Sequence, residues 1–246
     1  MQPEKKQLEI LLVNYFRECF TDFPQGRISP SESPDFIIKL KSRNNLGIEL
    51  TRLNPVNAKA PDQSGTEQIE LREKIISTAK DLFENSSPLK LFVKFVFSEN
   101  SPVSPEKELV TAVKAVNRIR QAVKNIKPGS LFFETVSDAI PGNELEKILI
   151  VSHPSLKFSA WERSNNLGIS ENITADILTS IQKKEEKLRL YQRQRLNYYW
   201  LIITSDQVRG LNNYNLADIT GSYNFNSHFQ HIFLFDIVKP KIYQLV

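Results

Sequence analysis

The stretch SPDFIIKLKSRNNLGIELTRL, residues 33–53, sets the tightest constraint on how this chain can fold. PDFIIKLK and GIELTRL have the composition of two strands. SRNNLG between them has that of a turn, with an Asn-rich tip and Gly47. Asp35 opens the first strand directly after Pro34, and Glu49 falls inside the otherwise apolar second strand. An unpaired carboxylate is costly to bury, so one placed there is expected to be paired, protonated or bound to a metal.

Around this hairpin the chain reads as mixed α/β. EKKQLEILLVNYFRECF (4–20) carries a helical stripe at Leu8, Leu11, Leu12, Tyr15, Phe16 and Cys19. Further helices are expected over 66–85 and 106–126, the latter ended by KPG, and a strand over 89–98. SLFFETV and KILIVSHP read as strands with PGNE as the turn between them, and LKFSAWE as another. The longest helix is predicted over 172–195, capped by Asn172 or Thr174; the strands YYWLIIT and HIFLFDIV follow, with KIYQLV as a short edge. NNLGI occurs at 44–48 and 165–169, but the flanks are unlike and the match reads as coincidence. Helices feeding strands give the α/β class, and 246 residues suit one large domain or two small ones.

Composition removes several function classes. Hydrophobic content of 40% and charged content of 24% are those of an ordinary soluble globular chain. The longest apolar runs are too short to cross a bilayer, and MQPEKKQLEI lacks the apolar stretch of a signal peptide, so a cytoplasmic protein with no membrane partner is expected. The single cysteine, Cys19, excludes an internal disulfide and a multi-cysteine zinc site. No dinucleotide fingerprint, phosphate loop or G-x-S-x-G elbow is present. His228 and His231 are three apart in HFQH, but they precede a strand and have no thiol partners; a surface or structural role is expected. A net charge of +4 permits nucleic-acid binding without demanding it.

Carboxylates on neighbouring strands can share one Mg²⁺, which prefers hard oxygen ligands, and the Leu50 backbone carbonyl at the same strand edge could be a third ligand. On the long helix, Ile177, Ile181, Leu188 and Tyr191 define an apolar face with Lys184 at its centre and Lys187 one turn on at its margin. Lysine is rarely placed on such a face without a partner.

SPDF…GIELT resembles the PD-(D/E)XK motif of the restriction-endonuclease-like superfamily: Pro34-Asp35, a spacer, then Glu49-Leu50-Thr51. Thr51 stands where that family has lysine. IQKKEEKLRLY followed by YYWLIIT resembles a helix–strand unit of nuclease-like proteins in this superfamily, where the adjacent helix can supply the missing lysine. The resemblance covers about 35–53 and 177–204, weakly HIFLFD, and none of 60–168. It implies a three-layer α/β fold, a central mixed sheet flanked by helices. It also implies a single domain over 1–246, with its core from 1–59 and 170–246 and an elaboration at 60–169. The implied activity is phosphodiester hydrolysis dependent on Mg²⁺ or Mn²⁺, with DNA as the usual substrate. Asp35 and Glu49 would hold the metal with the Leu50 carbonyl, and Glu9 on the first helix would be a further acid. Lys184 would position or activate water, and Lys187 would hold the scissile phosphate. Oligomeric state is open, a homodimer included.

Plainer readings of the same residues stand beside these. Glu49 could be a surface residue of a half-exposed strand, paired with Arg52 or Lys39, and Lys184 could snorkel from the core edge. Glu9 could be an ordinary helix-surface glutamate. Basic residues on the long helix (Lys183, Lys184, Lys187, Arg189, Arg193, Arg195) and over 106–127 suit phosphates, but interspersed glutamates equally suit a solvated face. With Thr51 in the lysine position, a non-catalytic module that binds nucleic acid or a partner protein is the alternative to an enzyme.

Overall fold

The computed structural model describes residues 3–53, 63–98, 101–137, 144–164, 173–191, 196–206 and 225–246. The chain divides into two compact units, Met1–Leu11 with Lys59–Gly168, and Leu12–Ala58 with Ile169–Val246. Helix α1 (Pro3–Cys19) contributes to both. Each unit has its own sheet, and both are α/β.

The second unit carries a six-stranded mixed sheet in the order β1-β2-β3-β8-β9-β10. Strands β1 (Gly26–Pro30), β2 (Phe36–Leu40) and β3 (Asn45–Arg52) form an antiparallel meander. Strand β3 then pairs in parallel with β8 (Tyr198–Ser205), and β8 in parallel with β9 (His231–Asp236). Strand β10 (Lys241–Gln244) closes the sheet antiparallel to β9. Parallel neighbours must be buried on both faces, which is why YYWLIIT and HIFLFD are apolar at consecutive rather than alternate positions.

The pleat assigns the two faces. Leu201, Ile203, Ile232 and Leu234 pack with Ile177, Ile181, Leu188 and Tyr191 of helix α4 (Ile173–Tyr191). On the other face Tyr15 and Phe16 of α1 meet the rings of Phe233 and Phe235, and Phe20 and Phe23 meet Trp200. Glu49 and Thr51 sit opposite Leu201 and Ile203, so their side chains lie on the α4 face. The helices therefore flank this sheet on both sides, and α4 packs on the face to which Glu49 points.

The first unit has a four-stranded sheet in the order β5-β6-β4-β7: β4 (Phe92–Phe97), β5 (Phe132–Ser137), β6 (Leu145–Ser152) and β7 (Ala160–Arg163). Helices α2 (Gln63–Glu84) and α3 (Glu108–Val123) bury Ile75, Ala79, Phe83, Ala112, Val116 and Ile119 against the Val93, Phe95 and Phe97 face of β4. Lys94, on the opposite face of β4, is fully buried and meets Glu162 at 2.8 Å. Residues 60–169 thus include a sheet and core of their own.

Several local expectations are corrected. Strand β1 was not expected; Gly26 and Pro30 at its ends mask it, and an edge strand tolerates both. The tight turn lies at residues 41–44, where Arg43 takes the left-handed conformation (φ 66°), and Gly47 is inside β3. Helix α3 begins later than 106, after a single 3₁₀ turn at Pro105–Lys107. Thr174 lies in the first turn of α4 rather than capping it. Asn172, most of PGNE, the second NNLGI and residues 192–195 lie outside the described residues. Among the described residues no helix is long and apolar enough to cross a membrane.

Candidate metal centre

The site forms where β3 outruns β2. The β2–β3 ladder runs from Lys39 opposite Asn45 to Phe36 opposite Ile48, whereas β3 continues beside β8 as far as Arg52 opposite Thr204. Past Ile48 the β2 side of the strand is left to side chains. There the Leu50 N–H donates to Asp35 Oδ2 at 2.8 Å, and the Leu50 C=O accepts from Lys184 Nζ at 3.3 Å. Both backbone groups of Leu50 are thus held by side chains, its N–H by an acid and its C=O by an ammonium.

Gly47 sets the approach of the Asp35 segment. A Cβ there would lie 2.8 Å from Pro34 Cγ and 2.7 Å from Leu196 Cδ1, closer than atoms can pack. Its absence lets the Pro34 ring lie against β3, with Asp35 next in the chain. The glycine is thus explained by a long-range contact rather than by a turn.

Glu49 is only 4% exposed, and Lys184 Nζ donates to its Oε1 at 2.6 Å. The alternative of a surface Glu49 on a half-exposed strand does not hold, because Glu49 is buried, faces α4 and meets the helix lysine. The Lys184 side chain is 15% exposed, so the pair sits at the edge of the core rather than in open solvent. Such a pair is sensitive to loss of either partner, because the survivor keeps its desolvation cost.

Tyr191 completes the cluster and was not singled out from the sequence beyond its place on the apolar face. It lies two turns beyond Lys184, is 1% exposed, and stacks on Tyr199 with ring centroids 6.3 Å apart. Its phenol pKa is pushed far up, first by burial, then by the charge of Glu49 and the hydrogen bond to it, and then by the charge of Asp35. The hydroxyl therefore stays protonated and donates to Glu49. The readable signal was the seven-residue spacing from Lys184, which repeats the helix face.

The other expected residues are placed less centrally. Thr51 has no charge to offer; its carbonyl accepts a hydrogen bond from Thr204 Oγ1 at 3.2 Å. Lys187 is exposed one turn beyond Lys184. Glu9 belongs to the first unit and lies 3.9 Å from Lys5 and 3.5 Å from Lys6 of its own helix. On α3, Arg120 donates to Leu82 O and Ser86 Oγ, both at 2.8 Å, which ties one basic side chain of that row to the end of α2. His228 and Ser227 both bind Glu185 of α4, His228 through its N–H at 2.8 Å and Nδ1 at 2.9 Å, while the His231 ring packs edge-on against Trp200.

Among the described residues no cluster of three or more His, Cys, Asp or Glu side chains forms. Two carboxylates and a carbonyl are nevertheless hard oxygen donors of the kind Mg²⁺ takes from proteins, its remaining positions going to waters and substrate phosphates. Two of these oxygens, Glu49 Oε1 and the Leu50 carbonyl, already have a cationic partner in the Lys184 ammonium. No family model, curated protein or solved structure matches this chain.

Proposed function

We infer that the chain is a divalent-metal-dependent nuclease with a restriction-endonuclease-like core, hydrolysing phosphodiester bonds with DNA as substrate. One observation carries this reading: Asp35, Glu49, the Leu50 carbonyl and Lys184, drawn from two segments far apart in sequence, meet around Leu50 beside the start of β2. A bound Mg²⁺ supplies a low-pKa water and offsets charge on the phosphate. Asp35, Glu49 and the Leu50 carbonyl hold it. Lys184 comes from α4 to the place that a motif lysine at position 51 would serve, and orients the attacking water. Lys187, exposed one turn on, holds the phosphate.

A specific observation favours a second reading, a non-catalytic nucleic-acid or protein-binding module. Thr51 replaces the motif lysine, and Lys184 is spent neutralising Glu49. Cleavage of plasmid DNA in Mg²⁺ or Mn²⁺ separates the two. Glu49→Gln and Asp35→Asn are expected to lower the cleavage rate by about 100-fold or more, the scale on which lost transition-state stabilisation reads out. Undiminished cleavage by Glu49→Gln would refute the nuclease assignment at this site. Metal binding by the wild type without cleavage of DNA or RNA would favour the module.

A further inference from the structure

We propose that Lys184 is a tethered cation seated on the oxygens that a divalent ion uses, so that metal enters the site only by displacing it. The inference rests on the metal-site reading above and adds what controls occupancy. Lys184 Nζ lies 2.6 Å from Glu49 Oε1 and 3.3 Å from the Leu50 carbonyl oxygen, two of the three oxygens assigned to the metal. An ion bonded to those oxygens at about 2.0–2.1 Å would stand within a few ångströms of the ammonium. At that range, away from bulk water, like charges repel strongly. The two cations compete for these two oxygens, and a displaced Lys184 remains at the edge of the site.

The surroundings are built for the exchange. Lysine carries its charge on a flexible four-carbon stem, and this one is 15% exposed at the core edge, so the ammonium can withdraw toward water. Tyr191 cannot follow, because its ring is buried and stacked on Tyr199. Its hydroxyl therefore keeps Glu49 oriented while the ammonium leaves. Asp35 Oδ2 remains fixed by the Leu50 N–H at 2.8 Å. The metal-free protein is charge-balanced at Glu49, and metal affinity is set by competition with an internal cation.

Mg²⁺ titration of the full chain, by calorimetry and by the shift of the melting temperature, tests this. The proteins are wild type, Lys184→Met, Lys184→Gln and Glu49→Gln. Met removes the charge and keeps the stem; Gln can still donate to Glu49, which covers the case in which the Met variant does not fold. Both lysine variants are expected to bind Mg²⁺ about tenfold more tightly or better, with larger thermal shifts, and Glu49→Gln to lose binding. Unchanged or weaker Mg²⁺ binding by the lysine variants, with Glu49→Gln still abolishing it, overturns the displacement and leaves the metal site standing. Absence of Mg²⁺ binding in all four proteins overturns the metal site and this inference together.

Discussion

Glu49 is tolerated in an apolar strand because two donors from one helix face converge on it, Lys184 at 2.6 Å and the hydroxyl of Tyr191. In the metal-free protein, Lys184→Met leaves a 4%-exposed carboxylate without its cation. Breaking such a pair is expected to cost about 3 kcal/mol, and the double variant Glu49→Gln/Lys184→Met should recover most of it. Denaturant unfolding of the two single variants and the double variant measures this; simple additivity would mean that the two side chains are not coupled. At this scale the sequence was legible where a cause is periodic. The phase of α4 placed Lys184 inward from spacing alone. Tyr191 was hidden because a buried aromatic ring and a buried hydrogen-bond donor look alike in a helical stripe. Gly47 was read as a turn residue because its actual cause, contact with Pro34 and Leu196, is not local.

The elements that carry the site are held by two kinds of contact. Ile177, Ile181 and Leu188 fix α4 on Leu201 and Ile203 through apolar packing, and Glu185 ties the same helix to residues 227–228. Burial alone would raise the Glu185 carboxyl, but the hydrogen bonds from Ser227 and His228 and the His228 charge outweigh it and lower the value. A lowered folded-state value contributes stability that is complete above the unfolded glutamate value of about 4.3 and drains away as pH falls through the folded one. Below about pH 4.3 the wild type should therefore lose stability more steeply than Glu185→Gln. Denaturant midpoints across an acid pH series check this, and parallel curves would show that the tie carries no stability. Long, strongly patterned elements such as α1, α4, β4, β8 and β9 were legible in sequence. Strand β1 was not, because Gly26 is there to let Ile38 and Lys39 approach, and an edge strand needs no apolar pattern.

In the whole molecule, strands β3 and β8, far apart in sequence, are neighbours in one sheet, parallel over Leu46–Arg52 and Tyr198–Thr204. The α/β class followed from helices alternating with strands. The strand order β5-β6-β4-β7 of the other unit did not, because a run such as LFVKFVF declares its burial but not its neighbour. The buried Lys94 in that run was also illegible, since its partner Glu162 is brought alongside only by the β4–β7 pairing. Asp35, Glu49 and the Leu50 carbonyl are proposed to form a divalent-cation site. A crystal structure of the full chain grown with Mn²⁺, with anomalous scattering measured at the metal's absorption edge, tests it most directly. An anomalous peak is expected at bonding distance from both carboxylates and the carbonyl, with Lys184 Nζ moved off Glu49. A Mn²⁺ peak elsewhere, with Lys184 still on Glu49 and none at these oxygens, would contradict it.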